Sequence, residues 1–226
     1  MRRRTVAWAV AVKDLRVERR ARVATLQVLP FAAIVMVLFA FALDSTAVVE
    51  RVAPGLVWLA TLFSMLVLVQ RQFAVEAADG ALDALRVAGV DPAAVFWGKA
   101  IALALQLAVL EVLLLGAAVV LYRTELRLDG VVLLVTTWVA ATVALATVGT
   151  LYGGLAAGTT GRETLLPLLV FPVVAPVLIG ATRAVEAALG TVGTPGDGWP
   201  WFGLVAVFAV AFGAGGTLAF GPLIDS

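Results

Sequence analysis

The chain has 226 residues, 62% apolar and 14% charged, with a mean hydropathy of +1.06, whereas a water-soluble domain carries about 45–50% apolar and about 25% charged residues. The matching solvent is lipid, the length suits a single bundle with no second soluble domain, and a net charge of +1 points to no nucleic-acid partner. There is neither cysteine nor histidine, which excludes disulfides, Cys/His zinc sites and any Ser-His or Cys-His catalytic pair.

The first residues, Met1-Arg2-Arg3-Arg4, imitate the charged start of a signal peptide. The apolar run behind them, Val6 to Val12, is short and ends at Lys13-Asp14 without a small-residue cleavage site, so the segment is expected to be retained. Within residues 5–24, Trp8, Val12 and Leu15 share one helical face, ringed by Lys13, Arg16, Arg19, Arg20 and Arg22. Such a helix lies along the inner headgroups with its apolar side down, or serves as a plain positive-inside anchor; the two are compatible.

Six apolar stretches follow, at 26–43, 54–70, 100–122, 131–152, 164–182 and 200–222. About 20 helical residues cross a hydrocarbon layer of about 30 Å, so each is read as a span. The amino-terminal segment and the loops 71–99 and 153–163 hold eight, three and one Lys or Arg; the alternate connections 44–53, 123–130 and 183–199 hold one, two and one. The excess of twelve against four places both termini and the 71–99 loop in the cytoplasm, with Trp97 and Tyr152 at inner ends and Tyr122, Trp199 and Trp201 at outer ends.

In the 71–99 loop Glu76, Asp79, Asp83 and Arg86 recur at spacings of three, four and three, which puts them on one helical stripe opposite Ala74, Ala78, Ala81, Leu82 and Leu85. Asp91-Pro92 then closes the segment and leads back to the membrane. A surface helix of this kind is either a handle for a cytoplasmic partner or a solvated amphipathic linker.

Glu111 sits in the middle of the third span, Gln106 lies about a turn and a half before it, and Ala100, Ala104, Ala108 and Ala118 share its face. Small residues let helices approach, so this face is expected to point into the bundle. An acid there is either functional or held by a structural hydrogen bond to a neighbouring helix. Gly149 and Gly153 in the fourth span are read as close helix packing. In the fifth span Pro167, Pro172 and Pro176 share one helix, which is therefore bent, buried, or broken into two pieces.

No G-x-x-x-x-G-K-[ST], G-x-S-x-G, H-E-x-x-H or dinucleotide fingerprint occurs. The chain is not expected to be an enzyme, and ATP energy can reach it only through another subunit.

These residues resemble a known family. Ala53-Pro54-Gly55 enters the second span, Gln70-Arg71-Gln72-Phe73 and Asp79-Gly80-Ala81-Leu82-Asp83-Ala84-Leu85 follow it, and Leu165-Leu166-Pro167-Leu168-Leu169-Val170-Phe171-Pro172 with Pro176-Val177-Leu178-Ile179 forms the fifth span. Along the whole chain this is similar to the CcmB family, the haem exporter B permeases of the cytochrome c maturation ABC system. The resemblance implies an all-α integral membrane protein of type-2 ABC exporter architecture: six transmembrane helices, an interfacial amino-terminal helix and a cytoplasmic coupling helix between spans two and three. It implies that a CcmA-like ATPase carrying ATP and Mg docks on Phe73, Glu76, Asp79, Gly80, Leu82, Asp83, Leu85 and Arg86. CcmC-like and CcmD-like subunits are the implied neighbours, and the inner membrane the implied location. Family members often carry an acidic-aromatic cluster after span two; Gln70, Gln72 and Ala74 dilute it here. Haem is handled by the complex, and with only three Met and two Tyr as candidate axial donors this chain is a poor stable ligand. Two other roles fit the same residues: a type-2 ABC permease for a lipid or drug, and a non-transporting membrane scaffold.

Overall fold

In hydrocarbon a backbone must satisfy its own amides, and a helix does so within one segment. The computed structural model describes residues 3–22, 24–43, 45–79, 84, 87–122, 127–157 and 162–225. Its α-helices are α1 (Arg3–Ala21), α2 (Leu29–Ala42), α3 (Thr46–Asp79), α4 (Pro92–Tyr122), α5 (Val131–Ala157), α6 (Arg162–Leu189) and α7 (Pro195–Asp225). A π-helical turn, Ala24–Val28, opens α2, and a 3-10 turn, Leu128–Gly130, opens α5. Among the described residues there is no strand.

Five helices, α3 to α7, are long and apolar enough to cross a membrane. A sixth crossing is reached only if α1 and the segment Leu26–Ala42, bent by 51°, are counted together as one span. The first apolar stretch is thus the weakest: α2 alone has 14 residues, about 21 Å at 1.5 Å per residue. It lies at the periphery, burying Val28, Ala32 and Met36 at four-residue intervals and exposing Phe31, Ile34, Leu38 and Phe41.

α5 is the hub. It packs against α3, α4, α6 and α7, and residues 144–150 are all buried. Lipid tails are as apolar as leucine, so such packing depends on close approach rather than on escape from water. Gly130, before α5, shows how close: a Cβ there would lie 1.8 Å from the Ala188 carbonyl oxygen.

Two expectations change, and a third is extended. α1 packs along α4 through Ala7, Val10, Ala11 and Asp14, a face other than that of Trp8, Val12 and Leu15, and Gly98 of α4 leaves room for the Ala7 carbonyl, 2.6 Å from where a Cβ would sit. Trp8, 60% exposed, is on the outward side. The second span is not followed by a separate helix beginning at residue 76, because α3 runs unbroken for 34 residues to Asp79, about 51 Å against a hydrocarbon layer of about 30 Å. α6 is continuous through Pro167, Pro172 and Pro176, so the broken-helix alternative falls. Its buried stripe is Leu166, Val170, Val174, Val177 and Ala181, while Pro172 is exposed on the outer side.

A buried ion-pair latch and a mid-membrane acid

The densest polar cluster joins α1, α3 and α4. Lys99 lies about two turns into α4 with its side chain fully buried, and Asp14 and Glu76 are 7% and 3% exposed. The Lys99 ammonium reaches Glu76 Oε2 at 2.6 Å and Asp14 Oδ2 at 3.4 Å. Lys13 pairs with Asp14 Oδ1 at 2.9 Å and with Glu76 Oε1. Gln72 Nε2 donates to Asp14 Oδ2 at 2.6 Å, and the Phe73 ring lies 4.7 Å from the Lys99 ammonium. Two ammonium groups face two carboxylates, so the cluster is neutral as a unit while no member is neutral alone. Burial pushes the Lys13 amine down, but the carboxylates of Glu76 and Asp14 outweigh it and hold the ammonium above its ordinary value.

Local sequence builds this latch. On α1 the buried positions 7, 10, 11 and 14 follow helical spacing, and the last is an aspartate. On α3 Gln72 and Glu76 are one turn apart, and Phe73 fits against Gly153 of α5, where a Cβ would lie 2.6 Å from its ring. On α4 Asp91 caps the first turn, its Oδ1 accepting from the Ala93 amide at 3.0 Å and its carboxylate pairing with Arg3. α1 is therefore held at its start by Arg3–Asp91 and just past its middle by the latch.

Of the residues expected to grip a cytoplasmic partner, Phe73 and Glu76 are 2% and 3% exposed, so neither is on a docking face; both are committed to Lys99. Asp79 ends α3, and Gly80, Leu82, Asp83, Leu85 and Arg86 lie outside the described residues. Gln106 lines a small cleft beside Lys13, Asp14, Arg71 and Gln72. Lys13, Asp14, Gln72 and Lys99 belong to no sequence motif; the apolar spacing that ends in Asp14 is the signal that marks one of them.

Glu111 is 1% exposed, as its small-residue face implied. Its partner is Thr142 of α5, whose hydroxyl lies 2.6 Å from Glu111 Oε2 and 2.8 Å from the Trp138 carbonyl oxygen. The structural hydrogen bond between helices is thus present, and it ties α4 to the hub. At the far end of α4 the Tyr122 hydroxyl donates to the Met36 carbonyl at 2.7 Å and fastens α2. Among the described residues no group of His, Cys, Asp and Glu is arranged to hold a metal.

A bundle of long apolar helices with a basic helix ion-paired along one end is a multi-pass membrane protein. The sequence profile described as CcmB protein matches residues 5–222. The chain is 30% identical over 177 residues to heme exporter protein B of Haemophilus influenzae, covering 78% of this chain and 79% of that one. It is 31% identical over 179 residues to heme exporter protein B of Rhodobacter capsulatus and 32% over 181 to that of Paracoccus denitrificans, each match covering 79% of this chain and 81% of the relative. The chain belongs to the CcmB family.

Proposed function

We propose that this chain is the membrane permease subunit of a haem-exporting complex for cytochrome c maturation, and that it converts a push from a partner ATPase into a rearrangement of its helix bundle. The reading rests on family membership and on one structural observation: α3 is a single rod from the membrane to Asp79, clamped at Glu76 by ammonium groups from both α1 and α4. A displacement applied just beyond residue 79 cannot move α3 alone, because that would strand buried charges. It moves α1 and α4 with it.

In this account a CcmA-like ATPase, which holds ATP and Mg, grips Asp79, Gly80, Leu82, Asp83, Leu85 and Arg86, while Phe73 and Glu76 pass the movement inward. The grip faces the cytoplasm, both termini lie there, and the bundle sits in the inner membrane; the Lys and Arg distribution supports this orientation. Haem is cargo of the complex, delivered outside by a CcmC-like subunit with a CcmD-like helper. The lack of His and Cys favours energising a haem-loaded partner over carrying haem on this chain. Asp83→Lys tests the grip: the co-purified ATPase is expected to lose coupling to cytochrome c maturation, and unchanged hydrolysis and maturation would leave a passive scaffold instead.

A further inference from the structure

A slot of about 480 Å³ opens between α3 and α6. Gly55, Leu59, Leu178 and Ile179 line its apolar length, and Arg183 and Glu186 stand at one end. Gly55 keeps it open: a Cβ there would only touch Thr182, at an ordinary 3.7 Å, whereas a longer side chain would run into the slot. The Arg183 guanidinium meets Glu186 Oε2 at 3.0 Å, and the two side chains are 50% and 10% exposed. The slot is therefore apolar along its length and ends in one positive and one negative group, side by side.

Depth says which molecule has this pattern. Glu186 is three residues from Leu189, the end of α6, about 4–5 Å along the axis, and Leu178 is about 12 Å farther in. Gly198 of α7 packs against Ala184 and Ala187, which sets Trp199, itself exposed, at the level of the ion pair. Exposed tryptophan marks the headgroup layer, so the charges sit among headgroups and the leucines in hydrocarbon. A phospholipid carries its groups in that order. A packed helix about 10 Å across would displace about 900 Å³ over the same 12 Å, about twice the room present. The ion pair then selects the headgroup. A purely anionic one would gain at Arg183 and lose at Glu186. Phosphoethanolamine matches both signs: its phosphate accepts from the guanidinium, which has five N–H donors, and its primary ammonium donates to the carboxylate. A quaternary ammonium has no N–H to donate.

We infer that the α3–α6 slot holds a phospholipid with a phosphoethanolamine headgroup, its acyl chain along Leu59, Leu178 and Ile179 and its headgroup across Arg183 and Glu186. The inference needs only a chain that spans a membrane, not the role proposed above. The test is native mass spectrometry of the full chain, equilibrated with equal amounts of phosphatidylethanolamine, phosphatidylcholine and phosphatidylglycerol of identical acyl chains. The expected result is phosphatidylethanolamine retained about tenfold over either competitor, the factor given by one charge-assisted hydrogen bond. Glu186→Gln leaves the arginine without its acid and should turn the preference toward phosphatidylglycerol, which loss of a merely structural ion pair would not do. Gly55→Leu fills the slot and should abolish the preference, while Gly55→Ala, which fits the space, should keep it. Equal retention of the three lipids would overturn the inference. So would an ethanolamine preference that survives Glu186→Gln or Gly55→Leu, its loss in Gly55→Ala, or a lipid-free dimer of the chain as the retained species.

Discussion

Glu76 and Glu111 are both carboxylates buried in a membrane protein, yet the chain compensates them in opposite ways. Glu76 meets two ammonium groups near the end of α3, within a cluster that also holds Asp14. Glu111 meets a single threonine hydroxyl in the middle of α4. The first arrangement locks three helices, because removing any member leaves a charge without a counterion. The second joins two helices by a hydrogen bond and brings no counterion. Rigidity belongs to the end where force would enter, and a lighter tie to the middle.

The sharpest way to break the contrast is Lys99→Met. It strands Glu76 and Asp14 against Lys13 alone and should cost about 3–5 kcal/mol, the usual penalty for halving a buried ion pair, read as a large loss of thermal stability in detergent. Adding Glu76→Met restores neutrality, since Lys13 and Asp14 remain, and most of that loss should return. If the double variant is no better than the single, the residues are not coupled.

Next comes helix approach beneath the latch. Gly98→Val forces a side chain against the Ala7 carbonyl and Val10, and overpacking of this kind costs about 1–3 kcal/mol. Amide exchange should rise in α1 before it rises in α5.

At the mid-membrane site the effects are smaller. Thr142→Val removes the hydroxyl that bonds Glu111 Oε2 and should cost about 1–3 kcal/mol, because a buried acceptor is left unsatisfied. Glu111→Gln keeps an acceptor for Thr142, so assembly should be normal, and impaired cytochrome c maturation is expected from the lost carboxyl. Normal maturation would return Glu111 to a purely structural role. Tyr122→Phe is the mildest, costing about 1 kcal/mol for one hydroxyl bond to Met36, visible as easier proteolysis near α2 with the rest of the bundle intact.

Much of this architecture could be read in advance, and the exceptions have physical reasons. Residues 54–70, 100–122, 131–152, 164–182 and 200–222 each fall within one helix, because a run of apolar side chains in lipid leaves the backbone no other satisfied state. Glu111 stood out because it is an isolated acid, and its small-residue face gave its direction; Thr142, 31 residues away, could not be paired with it from periodicity. The latch was invisible for the same reason, since Lys13, Gln72, Glu76 and Lys99 come from three separate segments. Helical spacing puts Glu76 on one stripe with Asp79, Asp83 and Arg86, but spacing defines a face and says nothing of what covers it. What meets Glu76 is Lys13 of α1 and Lys99 of α4, and the spacing Ala7, Val10, Ala11, Asp14 shows that the packed face of α1 ends in a charge.

The latch is the joint between the carboxyl-terminal end of α3 and the bundle, and the proposed coupling runs through it. Its most direct test compares ATP hydrolysis with cytochrome c maturation in the assembled complex carrying Glu76→Met with Lys99→Met, a pair that keeps the site neutral and packed. A complex that assembles and hydrolyses ATP but no longer matures cytochrome c is the predicted result. Maturation at the unmodified rate would contradict it, and would reduce the ion pairs to structural support.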